Sequence, residues 1–416
     1  MQDELFKMYL AMLGESEAPN TYHRWSLLTV LGAWLGRRCY LPFGDSAINC
    51  NMYVMLMGSA GVRKTTAINK AVKLIKEAGY TNIAANKTSK EKFLLDLAGD
   101  ADLLVSDDIL EMNLFGEASK EDAEVLVAAE EFNVFVGNGN LEFLALLGSL
   151  WDYDGAFENK VKNSTSAYIY NPTVSILAGN TATSFALAFP IEAIGQGIFS
   201  RLLLIHGDKT GRKITIPTRP DLEIRSQIIK LLQTIRAEIN GEIVLSEGAY
   251  KLLDKIYKTN VPHVIDIRFE SYNNRRLTHL LKLALITAVS ELSKTVTEAH
   301  VIMANTILVH AEHSMPKTLG EFGKAKDSDI ANKVLNILTE ANPPIVPFKT
   351  IWSHVCNDLE TINQLKELLD KLIFADKVMC NKDPVGFIAK SLVIKSKSSE
   401  VDFSLLTDEE RGGIIL

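Results

Sequence analysis

The chain has 416 residues, 47% hydrophobic and 23% charged, which is enough for about two to four folded domains. This composition excludes a wholly disordered, collagenous or low-complexity protein. Lys and Arg number 44 against 51 Asp and Glu, so the formal net charge is −7 at pH 7. Because such a chain has no overall basic surface, any nucleic acid must be held by a local group of cations.

Cysteine spacing and the N-terminus indicate the cellular setting. The four cysteines are scattered, without a CxxC motif or a histidine at zinc-binding spacing, at Cys39, Cys50, Cys356 and Cys380. The N-terminal residues lack the zones of a signal peptide, and no run of about 18 apolar residues follows them. We therefore predict a cytoplasmic protein with reduced thiols and no membrane partner.

Residues 1–50 are predicted to form a helical segment, because apolar residues recur at helical spacing over 22–39. Residues 51–215 are predicted to form an α/β core with a parallel sheet. The apolar run 52–57 stops at Gly58, as expected of a buried parallel strand, and a helix is expected over 64–78. Further short apolar runs alternate with helical or loop segments, at 103–105, 125–129, 174–178 and 202–205.

The rest of the chain shows a different pattern. Residues 216–319 have helical periodicity only and predict an all-helical domain. After a glycine-bearing hinge, the stretch 328–395 has three helical segments followed by two short strands, which predicts a winged-helix domain. The acidic segment 396–416 is predicted to be a tail or a docking peptide.

The segment 58–66 has the setting of a phosphate loop, because it follows a buried strand and opens a helix. In such a loop, backbone N–H groups surround polyphosphate, the lysine reaches the terminal phosphates, and the next hydroxyl holds Mg²⁺. Arg63 stands where the usual motif has a glycine, so the prediction depends on Lys64 and Thr65. The predicted nucleotide-binding residues are Gly58, Ser59, Ala60, Gly61, Val62, Arg63, Lys64, Thr65 and Thr66.

Hydrolysis needs one carboxylate near Mg²⁺ and a second that polarises the attacking water, both at the end of a strand beside the loop. Two places offer such a pair. Glu130 and Glu131 follow the run 125–129, while Asp107 and Asp108 follow the run 103–105 after one serine. The aspartate pair is closer to the commonest chemistry, and the spacing leaves both pairs open.

Two further polar residues stand beside apolar strands. Asn180 follows the run 174–178 and offers an amide suited to orienting water against a γ-phosphate. Arg201 directly precedes the run 202–205, and an arginine there could stabilise transition-state charge, including in a neighbouring subunit's site. A surface salt bridge is the alternative role for Arg201.

Residues 157–170 alternate around a polar centre and predict a β-hairpin with Lys160 and Lys162 near its tip. Lysines in such a place are either ordinary solvated side chains or, in a ring ATPase, groups that grip DNA phosphates in the pore.

Taken in chain order, these motifs resemble the AAA+ ATPases of the branch with a hairpin before sensor 1, to which the minichromosome-maintenance helicases belong. Within that branch they are similar to a group of phage and prophage ATPases and replicative helicases. The motifs that carry this similarity are Tyr22-His-Arg-Trp25, Gly61-Val-Arg-Lys64-Thr-Thr, Ala129-Glu-Glu-Phe132 and Leu150-Trp-Asp152. The resemblance spans residue 22 to about residue 313.

The resemblance implies ATP as substrate with Mg²⁺ as cofactor, bound by Lys64 and Thr65. It implies that Glu130 holds the metal, that Glu131 activates water and that Asn180 is sensor 1. Related sequences usually have Asp-Glu-Phe at this place, so Glu130 is a departure from the family pattern.

The resemblance also assigns two arginines. Arg201 would be the arginine finger, and the helical lid would supply sensor 2, for which Arg275 fits the spacing better than Arg276. The AAA+ core would then be followed by an all-helical lid and by the winged-helix domain.

These features predict an ATP-hydrolysing, ring-forming DNA motor, specifically a phage-type replicative DNA helicase acting as a homo-oligomeric hexamer on single-stranded DNA. It would work in the cytoplasm, that of a bacterial host if a phage encodes it. The C-terminal domain is expected to bind DNA or replication proteins, because Lys366 and Lys371 are mixed with acidic residues there. The alternative is an AAA+ helicase loader or replication initiator that uses ATP as a switch without unwinding.

Overall fold

The computed structural model describes residues 3–98, 122–159, 167–190, 193, 197–259, 264, 266–320, 326–341, 343, 345–359, 361–374, 377–382, 384–389 and 400–411. Its strands are β1 (Cys39–Phe43), β2 (Ser46–Asn49), β3 (Tyr53–Met57), β4 (Glu124–Ala129), β5 (Ala156–Asn159), β6 (Ala167–Tyr170), β7 (Thr173–Asn180), β8 (Leu202–His206), β9 (Gly241–Glu242), β10 (Val244–Leu245), β11 (Thr295–Val296), β12 (Val378–Lys382) and β13 (Val385–Ala389).

Its helices are α1 (Glu4–Leu13), α2 (Asn20–Leu35), α3 (Lys64–Ala78), α4 (Lys90–Ala98), α5 (Phe132–Val136), α6 (Leu141–Ser149), α7 (Ala182–Ala188), α8 (Leu222–Glu238), α9 (Glu247–Thr259), α10 (Glu270–Ser290), α11 (Glu298–Ser314), α12 (Lys326–Glu340), α13 (Phe348–Val355), α14 (Ile362–Phe374) and α15 (Asp408–Arg411). Among these described helices, none is both long enough and apolar enough to span a lipid bilayer.

Four parallel strands form the central sheet, in the spatial order β4–β7–β3–β8. Every residue of β3 and β7 is buried, which explains why their sequences are almost continuously apolar. Helices α2 and α3 pack against this sheet. The predicted α/β class with a parallel sheet is therefore confirmed, while the run 103–105 lies outside the described residues.

The N-terminal segment is not wholly helical, contrary to the sequence prediction. Helix α2 ends at Leu35 instead of residue 39, because Gly36 has a left-handed φ of 53°. A Cβ at Gly36 would be strained by this positive φ and would also displace the Glu124 carboxylate, which favours glycine there. The chain then forms the antiparallel hairpin β1–β2, whose turn contains Gly44 with a φ of 62°.

The segment 216–319 is mainly helical, with α8 to α11 close to their predicted positions. It also contains the short strands β9, β10 and β11, which the all-helical prediction omitted. Strand β9 pairs in parallel with β1, and β10 pairs in parallel with β11. A strand of two residues is too short to show alternation in a sequence, so only tertiary pairing reveals it.

The predicted hairpin after α6 is present as the antiparallel pair β5–β6, in which Asn159 faces Ala167. Lys160 and Lys162 fall between these two residues and lie outside the described part of the chain, as do Asp107 and Asp108. The strand pairing supports the hairpin prediction and leaves the role of the two lysines a prediction.

The C-terminal region forms a separate unit with its own hydrophobic core. Helices α12, α13 and α14 are followed by the antiparallel hairpin β12–β13, in the order that the sequence predicts. Its buried residues include Val334, Leu338, Ile351, Leu365 and Leu369.

Residues 400–411 return to the main body of the chain. Leu406 is buried in the main core, and Glu409 forms an ion pair of 2.8 Å with Arg212. The guanidinium of Arg24, with a side chain 2% exposed, lies between Asp3 and Glu410, with an Nε–Oε1 distance to Glu410 of 2.6 Å. Over its described residues, the predicted tail or docking peptide docks on its own chain.

Arg24→Ala should lower the free energy of unfolding by about 3 to 5 kcal/mol, because it leaves the buried Glu410 and the partly buried Asp3 without their shared cation. Urea unfolding followed by circular dichroism measures this loss, and limited proteolysis should release residues 400–411 earlier. The control is Arg411→Ala, which removes an ion pair to the 97% exposed Asp408 and should change stability by less than about 1 kcal/mol. Equal effects of the two variants would contradict the assignment of this buried cluster.

Candidate nucleotide site

Parallel register brings three of the predicted polar segments to one edge of the sheet. Met57 at the end of β3 pairs with Asn180 at the end of β7, and Ala129 at the end of β4 pairs with Ala178. The phosphate loop follows β3, and Glu130 follows β4. The carboxyl ends of these strands therefore place the loop, the acidic pair and Asn180 side by side.

The predicted phosphate loop contains two residues with a left-handed φ, as the concave backbone of an anion site does. Gly61 has a φ of 83° and Arg63 a φ of 65°, and helix α3 begins directly afterwards at Lys64. The Lys64 Nζ donates hydrogen bonds to the carbonyl oxygens of Gly58, at 2.7 Å, and Ser59, at 3.0 Å. Burial lowers the pKa of Lys64, and the negative charge of Glu131 opposes that shift.

Arg63 occupies the glycine position of the usual motif, and its side chain is held outside the loop. Its Nε donates to Glu17 Oε2 at 2.6 Å, and the other oxygen of Glu17 accepts from the Ile214 N–H at 2.8 Å. The Ile214 hydrogen bond and then Arg63 lower the pKa of Glu17. A left-handed φ at a residue other than glycine costs about 1 kcal/mol, and the pairing with Glu17 helps to hold it.

Tyr22 fixes the start of the loop from the side of helix α2. Its hydroxyl oxygen lies 2.7 Å from the carbonyl oxygen of Met57 and 3.1 Å from that of Gly207. A Cβ at Gly58 would lie 2.5 Å from this hydroxyl oxygen, so the loop must begin with a glycine. The Tyr22-His-Arg-Trp25 motif thus joins the ends of β3 and β8 to helix α2.

The acidic pair is exposed at the end of β4. Glu131 precedes helix α5, and Glu130 Oε1 accepts a long hydrogen bond of 3.4 Å from Asn69 Nδ2 on helix α3. A Cβ at Gly179 would lie 2.6 Å from the Glu130 carbonyl oxygen and 3.5 Å from Lys64 Cβ. The missing side chain at Gly179 therefore lets the acidic pair approach the phosphate loop.

Asn180 is fully buried at the end of β7. Its Nδ2 lies 3.5 Å from the Met55 sulfur, and its Oδ1 has no hydrogen-bond partner within the described part of the chain. A buried, unpaired amide oxygen is costly, and it marks a group available to an additional ligand or water. The backbone oxygen of Asn180 accepts from the Gly58 N–H at 3.2 Å, which joins this strand end to the loop.

A cavity of about 410 Å³ lies between helices α1 and α2 and the segment 212–214. Leu10, Leu13 and Ile214 give it an apolar part, while His23 and Arg212 contribute polar groups. Burial lowers the pKa of His23 to about 4, so its imidazole is neutral at pH 7. No set of three or more His, Cys, Asp or Glu side chains forms a metal-binding group within the described ranges.

The structure places the two predicted arginines at the opposite end of the sheet. Leu202 at the start of β8 pairs with Tyr53 at the start of β3, so the backbone of Arg201, one residue earlier, lies about 16 Å from the phosphate-loop edge. Arg275 on helix α10 joins it, since Arg275 Nε donates to Ser200 Oγ at 3.1 Å. Neither arginine shares an edge with Lys64.

Arg275 and Arg276 have different surroundings. Arg276 is buried, with its Nε 2.7 Å from Glu312 Oε1 and its Nη2 2.8 Å from Asn305 Oδ1. The Arg275 side chain is 33% exposed and lies 4.0 Å from Asp152. Arg276 is therefore committed to packing, whereas Arg275 reaches the surface.

Sequence reasoning missed the groups that surround these arginines. Lys282, 0% exposed, lies 3.1 Å from Asp152 Oδ1, and His279 Nε2 lies 3.0 Å from the carbonyl oxygen of Ser200. The ring of Trp151 packs between them. A signal was present, because residues 275, 279 and 282 are spaced by four and three and so share one helix face.

Comparison with models of known protein families gives no match, and comparison with curated protein sequences gives none either. The assignment of function to this site therefore depends on its geometry and on the motifs in the sequence.

Because His279 is buried, we expect the folded protein to lose stability in mild acid. Burial is the main cause that lowers its pKa to about 4, from an ordinary value of 6.5. Below pH 6.5 the unfolded chain binds a proton that the folded chain excludes, so stability falls as the pH decreases from about 6.5 to about 4. Between pH 7 and pH 5 this histidine should account for about 2 kcal/mol.

Urea unfolding of the parent and of His279→Gln at both pH values measures this contribution. The variant should lose about 2 kcal/mol less than the parent between pH 7 and pH 5. His354→Gln is the control, because His354 is exposed on helix α13 and should leave the parent's pH dependence unchanged. If His279→Gln loses as much stability as the parent, the histidine does not titrate as described.

Proposed function

We propose that the chain is an AAA+ type ATPase that assembles into a ring, a hexamer, and moves along single-stranded DNA as a phage-type replicative helicase. One observation carries this proposal: Lys64, Glu131 and Asn180 share one edge of the sheet, while Arg201 and Arg275 lie at the opposite end. A site built this way is complete only when a second copy presents its arginines to the first.

The chemistry at the first edge suits ATP hydrolysis. The loop backbone and Lys64 would bind the β- and γ-phosphates, which would replace the carbonyl groups of Gly58 and Ser59 as partners of the lysine. Glu131 would take a proton from the attacking water, and the unpaired Oδ1 of Asn180 would orient that water.

Thr65 and Glu130 would hold Mg²⁺ together with the nucleotide phosphates, since hard oxygen ligands and phosphates suit this ion. When bound, the ion neutralises charge on the phosphates and orients them. Glutamate at position 130 is longer than the aspartate usual in related sequences, and its exposed position at the end of β4 leaves space for that extra length.

The remaining parts of the chain would couple hydrolysis to DNA. Segment 216–319 would be the lid that carries Arg275, and α12 to α14 with β12–β13 would be a winged helix that binds DNA or replication proteins. Lys160 and Lys162, outside the described residues, are proposed to contact single-stranded DNA from the tip of the β5–β6 hairpin. A cytoplasmic location fits these activities.

The alternative proposal is a helicase loader or replication initiator that uses ATP as a switch. Helix α14 carries Lys366 and Lys371 together with Glu367 and Asp370, a mixture that suits docking on a protein as well as on DNA. Stimulation of ATP turnover by single-stranded DNA, together with strand separation driven by that turnover, distinguishes a helicase from a loader.

Lys64→Ala should weaken ATP binding by about 10- to 100-fold, because it removes the cation directed at the terminal phosphates. Glu131→Gln should preserve binding and reduce turnover by about 10²- to 10⁴-fold, because an amide cannot serve as the base. Fluorescent-nucleotide titration and phosphate release measure the two effects. Asp108→Asn is the control; a greater loss of turnover there than in Glu131→Gln would transfer the catalytic role to the other acidic pair.

Arg201→Ala should remove most turnover and leave ATP affinity nearly unchanged, because a residue supplied by a neighbouring copy acts on the transition state. Mixing inactive Lys64→Ala and Arg201→Ala proteins should restore part of the turnover, since some interfaces then pair an intact Lys64 with an intact Arg201. If subunits are shown to exchange and turnover does not return, action between copies is excluded.

A further inference from the structure

Trp151 stands at the centre of a group of cations at the amino end of the sheet. Its ring is 1% exposed. The guanidinium carbons of Arg201 and Arg275 lie 5.7 Å and 5.5 Å from the ring centroid, and Lys282 Nζ lies 4.5 Å from it. All three distances are within the range of a cation–π interaction, for which indole is the strongest partner.

Lys282 is the fully buried member of this group. Its Nζ donates to Asn51 Oδ1 at 2.8 Å and to the Asn49 carbonyl oxygen at 3.1 Å, and it lies 3.1 Å from Asp152 Oδ1. The Asn51 Nδ2 in turn donates to the Trp151 carbonyl oxygen at 2.7 Å. This network fixes the backbone and side chain of Trp151 and Asp152 against the start of β3.

The Asp152 carboxylate lies between the buried Lys282 and the partly exposed Arg275. The same carboxylate is 3.1 Å from Lys282 and 4.0 Å from Arg275. Lys282 and Arg275 thus share one carboxylate, and Arg201 adds a third positive charge nearby, which leaves an excess of positive charge. His279 packs on Trp151 with ring centroids 5.3 Å apart and is neutral at pH 7, so it adds no charge.

Two arginines beside one another repel, and each loses hydration when partly buried. Burial, and then the charge of Arg275, lower the pKa of Arg201. The Arg201 Nε is buried without a hydrogen-bond partner in the described part of the molecule, and its Nη1 donates to the Gly197 carbonyl oxygen. In the folded chain, both guanidinium groups are therefore available to bind an anion that comes from another molecule.

We infer that Trp151 and Asp152 are positioning residues that hold Arg201 and Arg275 as one pair, which takes a single phosphoryl group presented by a second copy of the chain. The indole ring limits the approach of both guanidinium groups from beneath, and Asp152 orients Arg275 from the side. This inference rests on the proposed function, because the phosphoryl group is the terminal phosphate bound at the phosphate loop of the second copy.

The first test variants are Trp151→Phe, which keeps an aromatic ring with a weaker cation–π interaction, and Asp152→Asn, which keeps the shape and removes the charge. Each should lower kcat for ATP by about tenfold or more and change the ATP dissociation constant by less than about twofold, because the arginine pair acts on the transition state. Phosphate release and fluorescent-nucleotide titration of the full chain give the two values.

Trp34→Phe is the matched control. Trp34 is also a buried tryptophan, its ring lies 4.6 Å from the Arg236 guanidinium carbon, and its Nε1 donates to the Leu232 carbonyl oxygen at 2.8 Å. The control should lower the thermal midpoint at least as much as Trp151→Phe and leave kcat unchanged. If both tryptophan variants lower kcat equally, the effect of Trp151 is general destabilisation and the inference fails.

An experiment that mixes two variant proteins distinguishes a positioning role from misfolding. Asp152→Asn has an intact phosphate loop and Lys64→Ala has an intact arginine pair, so mixed assemblies should recover part of the turnover. Should Asp152→Asn fail to fold because Lys282 loses its buried counter-ion, Trp151→Phe is mixed in its place. Absence of recovery from a folded, exchanging variant would overturn the inference.

A different set of results would show that the proposed function itself is wrong. If the parent does not hydrolyse ATP, or if Lys64→Ala hydrolyses it as fast as the parent, the proposed function itself is wrong. If Lys64→Ala is inactive while folded Trp151→Phe and Asp152→Asn keep the parent kcat, the ATPase proposal stands and the positioning role is excluded.

Discussion

The parallel register of β3 with β7 and β8 is the constraint on which the rest of the molecule depends. Pairing Met57 with Asn180 places the phosphate loop beside the buried amide, and pairing Tyr53 with Leu202 places Arg201 at the far end. A shift of one residue would turn each side chain to the other face of the sheet. Every residue of β3 and β7 is buried, so a shift would bring the polar residues at the strand ends into positions that apolar side chains now fill. Such an exchange in the interior is costly.

Several close contacts make this register compatible with the chemistry at the loop. Glycines at positions 58 and 179 allow the Tyr22 hydroxyl and the Glu130 backbone to approach the strand ends more closely than any side chain would permit. Position 63 also has a left-handed conformation, which glycine would adopt without strain, but the residue there is an arginine. Its ion pair with Glu17 joins the loop to the segment that precedes helix α2, so a departure from the usual motif becomes a tertiary contact.

The two ends of the sheet carry different charged groups. Exposed carboxylates of Glu130 and Glu131 lie at the loop edge together with Lys64, and the cations around Trp151 lie at the other. In the proposed ring, the carboxylates of one copy and the cationic end of the next would be complementary in charge. Such head-to-tail contacts close into a ring when the rotation between copies permits it. Residues 400–411 return to helix α2, where Glu409 and Glu410 accept hydrogen bonds from Asn20 and Arg24.

Local sequence determined the buried strands, helix α3, the phosphate loop and the order of elements in the C-terminal unit, because apolar periodicity and turn-forming residues act over a few positions. Gly36 is a local signal for the end of α2, but the hydrogen bond from the Arg37 N–H to Glu124, far along the chain, comes only from the tertiary structure. Only the tertiary structure decided that Arg201 and Arg275 meet around Trp151 and stand apart from Lys64. Residues 151, 201 and 275 are joined by long-range packing, which leaves no periodic trace in any one segment.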